Sequence, residues 1–327
     1  MRGFWGLHFI ILLSAATAAA EPAYMGPIPM KNHHPLYVSL LYPSPESALT
    51  AQSFRWRIDV NHTNIYLYNG GKRWLAAIDR ELTEADVNLS VPITPGKLEV
   101  GFNAAVYGSS EGFLDGLIRW WHGRLGVRGY RGQAETGDYR YEDAIYHDGE
   151  KIVSGEKGAM FGDTGLWLKT ILHDGEKVKV AGQLLAQAPT GSPNTGTGSS
   201  TWEWGGRILA SMESESIIAH AGGGVTFPGQ LNSGGQGIPM EPMYAGFVAL
   251  EIPVTGDLHL IGQSMFNTSP LKSADIYQFS REWIEVTLGL KYLIAGGYVA
   301  SFGLSENLNQ TAPDFTFHLS LEHVVFN

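Results

Sequence analysis

The stretch from Arg281 to Ile294 alternates between apolar side chains and polar or small ones with a period of two. One row is Ile284, Val286, Leu288, Leu290, Tyr292 and Ile294, and the other is Arg281, Trp283, Glu285, Thr287, Gly289 and Lys291. Successive side chains of a β-strand point to opposite faces, so the pattern predicts a strand with one apolar face. Strands of soluble sheets usually run about five or six residues. A strand that crosses a bilayer needs roughly nine to eleven, with lipid on the apolar side and a wet lumen on the other.

The same pattern recurs along the chain, in stretches separated by two kinds of connection. Apolar rows of this type begin at Phe54, Ala85, Leu98, Trp202, Tyr244, Tyr298 and Phe315. Short turns near Thr94, Asp174, Glu213, Thr255 and Ala295 alternate with longer loops that begin near Gly108, Thr190, Pro228, Asn267 and Glu306. Outer-membrane barrels alternate in this way. We therefore predict an all-β fold, a transmembrane antiparallel up-and-down β-barrel of about twelve strands over residues 52–327, with a soluble barrel or sandwich as the alternative.

Composition agrees with this class of protein. The chain is 44% hydrophobic but only 17% charged, whereas soluble domains carry about a quarter charged residues. Its net charge of −10 argues against nucleic acid as a partner. The absence of cysteine excludes a lipoprotein anchor, disulfides and thiolate chemistry.

The N-terminal region predicts export from the cytoplasm of a Gram-negative bacterium. Residues 1–20 have the positive start, apolar run and small-residue end of a signal peptide. Residues 21–51 are rich in proline, which cannot donate to a sheet ladder, so they form either an extended periplasmic lead-in or a segment that enters the lumen. The expected location is the outer membrane, and the expected partners are its lipid and lipopolysaccharide and the barrel assembly machinery. The oligomeric state stays open.

A long interruption between residues 108 and 160 is predicted to lie outside the cell and to contain a short helix. Apolar residues recur at helical spacing from Leu114 to Leu125. The basic residues and the histidine here are Arg119, His122, Arg124, Arg128 and Arg131. Three interpretations remain open: a rim helix that packs on the barrel wall, a lid whose arginines pair with inward carboxylates such as Glu99, or a patch that contacts lipid phosphates.

This interruption also carries a resemblance to a known family. The run Gly112-Phe113-Leu114-Asp115, followed by Trp121-His122 and Gly126, together with the signal peptide and the strand number, resembles an uncharacterised family of proteobacterial outer-membrane proteins that is catalogued as a domain of unknown function. The resemblance implies an outer-membrane barrel over most of the mature chain. It implies no substrate and no catalytic residue.

The sequence shows no motif typical of an enzyme, and we predict neither catalysis nor a cofactor or metal. The eleven histidines are scattered, and none recurs with a serine or aspartate in a nucleophile motif. His147-Asp148 is a candidate pair, interpreted as a hydrogen bond within a loop.

The inward rows supply the candidate functional residues. The predicted lumen-lining set is Arg55, Arg57, Asp59, Glu99, Lys169, Lys179, Glu203, Arg207, Glu251, Glu285 and Lys291. Because both signs of charge occur in this set, it indicates neither an anion-selective pore nor a cation-selective pore. We rank three hypotheses for the function. The first is a narrow channel for small solutes, the second is a closed barrel with a structural or surface-interaction role, and the third is a barrel-embedded lipid-modifying enzyme. Inward charges that are unpaired and open to water would favour the channel, whereas charges paired across a plugged lumen would favour the closed barrel.

Overall fold

The computed structural model describes residues 24–114, 116, 120, 123–124, 141–214, 216–313 and 315–324. The strands are β1 (Arg55–Gly70), β2 (Trp74–Thr94), β3 (Leu98–Ser110), β4 (Glu142–His147), β5 (Glu150–Ser154), β6 (Gly158–Asp174), β7 (Val178–Ala188), β8 (Glu203–Glu213), β9 (Ile218–Phe227), β10 (Gln230–Ser233), β11 (Gln236–Pro239), β12 (Met243–Pro253), β13 (Leu258–Asn267), β14 (Trp283–Ile294), β15 (Tyr298–Asn307) and β16 (Phe315–His323). A single helical turn, α1 (Tyr277–Ser280), precedes β14. The predicted signal peptide lies outside the described residues.

The main sheet closes into an antiparallel barrel. It contains fourteen strands, of which β4 and β5 lie outside the ring, so twelve strands form the barrel wall. The first strand β1 pairs with β2 on one side and with the last strand β16 on the other, from Trp56 opposite His323 to Asn64 opposite Phe315. Closure leaves no unpaired strand edge in the twelve-stranded wall, which is a requirement for a sheet within lipid. The predicted barrel is confirmed.

The alternation in β14 takes the orientation expected from the sequence. Leu288 is 68% exposed on the outer surface, whereas Glu285 is 1% and Thr287 0% exposed on the inner one. The outward rows of the neighbouring strands are likewise apolar and exposed, as at Val248 and Leu260. An apolar outer belt over a polar interior is the arrangement that a bilayer selects.

The connections divide the barrel into two ends. The turns that follow β2, β6, β8, β12 and β14 are short and lie at one end, called here the short-turn end. The longer connections, after β3, β7, β9, β13 and β15, lie at the opposite, long-loop end. Both the start of β1 and the end of β16 lie at the short-turn end, as an even number of strands requires.

A cap covers the long-loop end. We define it as the extensions of β1 and β2 beyond β16 and β3, the hairpins β4–β5 and β10–β11, and the connection 268–282. Strand β2 is long enough to pair with β3 over residues 81–94 and with β4 over 74–79. Inside the cap, Trp74, Ile145 and Phe279 belong to one buried apolar cluster. The sequence predicted loops where these hairpins lie, because strands of four to six residues carry too little alternation to be recognised.

The helix predicted at Leu114–Leu125 is only partly within the described residues. Gly116, Trp120, Gly123 and Arg124 are helical. Among the described residues, no helix is long and apolar enough to cross a membrane.

Candidate functional site: the occupied lumen

The lumen is filled by the chain's own N-terminal segment, residues 24–54. Most of its residues are buried, and Ile28, Tyr37 and Ala48 are each at most 1% exposed. The segment has no regular secondary structure, so its backbone groups need partners from the wall. Of the two placements that the proline-rich sequence allowed, the structure shows the one inside the barrel.

The start of the segment is held by one buried glutamate of β12. Glu251 accepts hydrogen bonds from the backbone N–H of Met25 at 2.7 Å and of Gly26 at 2.8 Å. His220 Nε2 lies 3.0 Å from the same carboxylate, and His259 contacts its other oxygen. These four partners satisfy the acceptor capacity of the buried carboxylate.

A notch in β14 and β15 receives Ile28. A Cβ added at Gly303 would lie 2.9 Å from Ile28 Cδ1, and one at Gly289 would lie 2.4 Å from it. Beside the notch, Gln263 accepts from Ile28 N at 2.9 Å and donates to Ile28 O at 2.7 Å. Glycine is therefore needed at these wall positions because another part of the backbone approaches closely.

The later part of the segment carries a carboxylate that the sequence did not single out. Glu46 lies 2.8 Å from Lys169 Nζ and 3.6 Å from Arg55 Nη2. It also forms an ion pair with Arg207, whose guanidinium donates to the Ser44 carbonyl as well. Three cations from three different strands thus converge on one acidic side chain of the segment.

A second ion-paired cluster lies further along the lumen. Lys31 forms an ion pair with Glu84 of β2 and donates to Tyr107 Oη at 2.8 Å. His33 Nε2 is 2.9 Å from the same Glu84 carboxylate, and Asn61 also donates to it at 2.9 Å.

The middle of the segment reaches into the cap. Tyr37 Oη donates to the Phe279 carbonyl at 2.7 Å and lies 3.0 Å from Ser269 Oγ. Leu36, Tyr37 and Val38 belong to the same buried apolar cluster as the interior of the cap. The long-loop end is therefore closed by packing between the segment and the cap.

The cap is held together by polar contacts between its loops. Asp275 accepts from the backbone N–H of Arg73 at 2.9 Å and of Trp74 at 3.2 Å, and also from that of Lys72. These hydrogen bonds, led by the one from Arg73, hold the pKa of the Asp275 carboxyl below its usual range. His147 is 3.7 Å from Asp148 and also contacts Gln236 of β11, so the candidate pair links two hairpins.

Among the described residues, a partly open cavity of about 150 Å³ remains between the segment and the inner faces of β1, β2, β3, β6, β7 and β8. Its lining combines polar and apolar side chains, and the charged ones include Lys31, Arg57, Asp59 and Asp86. On the opposite side the segment packs directly on β12, β13 and β14. The lumen is therefore filled unevenly.

The predicted lumen-lining residues all lie on inward rows. Their contacts are Arg55 with Glu99 and Glu322, Arg57 with Asp59, Lys169 and Arg207 with Glu46, Glu203 with Leu41 N, Glu251 with Met25 N, Lys291 with Met25 O, and Lys179 with Asp174. Lys179 is at the short-turn end, with its side chain 30% exposed. Glu285 is 1% exposed, and its Oε2 has no hydrogen-bond partner among the described residues.

Among the described residues, Glu99 is paired with groups other than the arginines of the loop after β3. Glu99 lies at the short-turn end of β3, next to the turn at Thr94–Leu98, and is bound by Arg55 and by Ala51 N. The loop after β3 begins thirteen residues along that strand, at the opposite end of the wall, roughly 40 Å away at 3.4 Å per residue. Arg124 is exposed, with its guanidinium 5.9 Å from the Trp120 ring. Arg119, His122, Arg128 and Arg131 lie outside the described residues, so lid and lipid-contact roles stay predictions.

Sequence reasoning missed the residues of the segment itself. Glu46, Lys31 and His33 show no periodicity, and the only signal for this region was its proline content. Within the described ranges, no group of three His, Cys, Asp or Glu side chains is arranged to hold a metal ion.

Comparisons with known proteins support the fold. A family described as "Protein of unknown function (DUF3187)" matches residues 5–325, which confirms the resemblance noted from the sequence. The COG4313 outer membrane channel from Pseudomonas putida F1 has 13% identity and a TM-score of 0.58, over 87% of this chain and 100% of that one. The NanC porin has 7% identity and a TM-score of 0.47, over 81% of this chain and 98% of that one. No curated protein matches the chain. The first likeness indicates a shared barrel fold.

Proposed function

We propose that this chain, which belongs to the DUF3187 family, is an outer-membrane channel for small solutes that its own N-terminal segment holds closed. Export by the signal peptide at residues 1–20 would place the short-turn end in the periplasm and the cap outside the cell.

The observation that carries the proposal is the position of the charge partners. Lys169 and Arg207 belong to the wall, yet their closest partners lie on the segment, at Glu46 and Ser44. Glu251 of the wall, which His220 and His259 also contact, binds the backbone N–H groups of Met25 and Gly26 on the segment. If the segment moved away, these side chains would face a water-filled lumen, which is how porin interiors are lined. A barrel that serves only as a rigid body gains little from such pairs, because well-packed apolar residues stabilise a buried site as well or better.

A second candidate function is a closed barrel with a structural or surface-interaction role. It is favoured by the charges paired across an occupied lumen and by the apolar packing of the segment against the cap. In that case the segment would be a permanent core and no stimulus would open a path.

Single-channel conductance in planar bilayers separates the two candidates. We expect brief openings from the wild-type protein and more frequent openings from Glu46→Gln, since the variant removes the closest carboxylate from both Lys169 and Arg207. Glu176→Gln removes the same charge from the exposed turn after β6 and should behave as wild type. Folding of each protein is checked by heat-modifiable migration in detergent gels. Absence of openings in all three inserted, folded proteins would support the closed barrel and contradict the channel.

A further inference from the structure

The lumenal cavity has a basic group that is only partly used. Arg57 donates through Nε to Asp59 Oδ2 at 2.8 Å. Its two terminal nitrogens form no hydrogen bond with a described residue, and the side chain is 20% exposed in a residue that lines the cavity. A guanidinium presents its donors as a planar fork that matches a carboxylate. The remaining donors of Arg57 are therefore available to an acidic group in the cavity.

Next to Arg57, two carboxylates face each other and are incompletely satisfied. Asp59 of β1 is directly opposite Asp86 of β2 in the strand register. Asp59 is 5% exposed; its Oδ2 also accepts from Asn88 at 3.1 Å, while its Oδ1 has no hydrogen-bond partner among the described residues. Within the described part of the chain, Asp86 accepts hydrogen bonds from Asn103 alone, at 3.3 Å to each oxygen. Like charges directly opposite each other destabilise a sheet, and a cation placed between them would relieve that repulsion.

The charge balance of the cavity selects the class of ligand. Its cationic side chains are Lys31, Arg55, Arg57 and Arg207, and its acidic ones are Glu46, Asp59, Glu84 and Asp86. Four positive and four negative groups give no net attraction for a simple anion or cation. A solute that carries one charge of each sign leaves this balance unchanged and uses both unsatisfied features.

We infer that the cavity binds a small zwitterion, with its carboxylate on the Arg57 fork and its ammonium between Asp59 and Asp86. Arg57 and Asp59 are two residues apart on one face of β1, which separates their backbones by roughly 7 Å. The cavity volume of about 150 Å³ leaves room for several water molecules, and therefore for a small solute. The inference rests on the proposed function, since it names the solute class for the same lumen.

Three near-isosteric probes test the inference on the full mature chain in detergent. Alanine has both charges, lactate replaces the ammonium with a hydroxyl, and 2-aminopropanol replaces the carboxylate. Ligand-observed NMR titrations should give an affinity for alanine at least tenfold above that for either probe. Equal affinities for the three would overturn the inference, and so would no binding of alanine.

Two variants assign the two ends of the ligand. Arg57→Gln should weaken alanine at least tenfold and leave 2-aminopropanol unchanged, whereas Asp86→Asn should weaken alanine and leave lactate unchanged. A variant without heat-modifiable migration in detergent gels is not folded and is discarded. The alanine affinity of the other variant then tests the site. Unchanged alanine binding in a folded variant would contradict the site. These titrations measure binding and not conduction. A failure to bind alanine would therefore contradict the zwitterion site alone, and the channel proposal would still be tested by conductance in planar bilayers.

Discussion

Replacing Leu288 with arginine tests the placement of the barrel in the membrane. Leu288 is 68% exposed and pairs with Gly262 of β13 and Leu304 of β15, near the middle of the outward row of β14. Its side chain loses few protein contacts on substitution, so the cost is mainly that of placing arginine in hydrocarbon. That cost is about 2–4 kcal/mol at the bilayer midplane. It corresponds to a roughly 30- to 700-fold fall in the ratio of folded to unfolded protein.

The matched control is the same substitution outside the strand. Leu308 is 63% exposed and lies one residue beyond the end of β15, at the long-loop end. Arginine there should cost about 0–1 kcal/mol. The folded fraction is measured by unheated gel migration after urea titration in phosphatidylcholine vesicles. Equal free energies for Leu288→Arg and Leu308→Arg would refute the assignment of this face to lipid.

Two further predictions concern the segment and the cap. Gly303→Leu should fill the notch that holds Ile28 and lower the thermal unfolding temperature in detergent, since overpacking costs about 1–3 kcal/mol. Adding Ile28→Ala to this variant should recover most of the lost temperature. An unchanged unfolding temperature in Gly303→Leu alone would contradict the close packing of Ile28 against this wall position. The depressed pKa of Asp275 means that its stabilisation of the cap is present above the unfolded value of about 3.9 and is lost as the pH falls further. Hydrogen exchange at the amides of Arg73 and Trp74 should therefore accelerate below about pH 4 relative to the intrinsic rate, and Asp275→Asn should remove that dependence. Protection that persists in acid would contradict it.

The outer surface of the barrel could be predicted from sequence because lipid imposes one simple rule. Outward side chains in the belt are mostly apolar because they face hydrocarbon, so Leu288 and its row alternate cleanly with Thr287 and Glu285. The same rule makes the turn positions visible, since the alternation stops at each end. Twelve strands, their order and the inward charges all follow from this one period.

The interior could not be predicted in the same way. A polar inward residue such as Glu251 can bind either water or the backbone N–H groups of Met25 and Gly26. The sequence of its strand therefore does not indicate which partner it has. The segment that supplies these groups is irregular and has no period to detect. The contact between Asp275 and the turn before Trp74 joins residues about two hundred positions apart, and no local pattern indicates it.

A disulfide between the segment and the wall tests the central claim most directly. Ala48 N donates to Ser211 Oγ of β8 at 2.9 Å, and the chain contains no cysteine of its own. Conductance of Ala48→Cys/Ser211→Cys is recorded in planar bilayers before and after addition of a reductant, with Ser211→Cys alone as the control. If the segment is the movable closure, the oxidised protein should show no openings and the reduced protein should recover those of the control. Equal conductance in the two states, with the disulfide verified by mass spectrometry, would contradict the account.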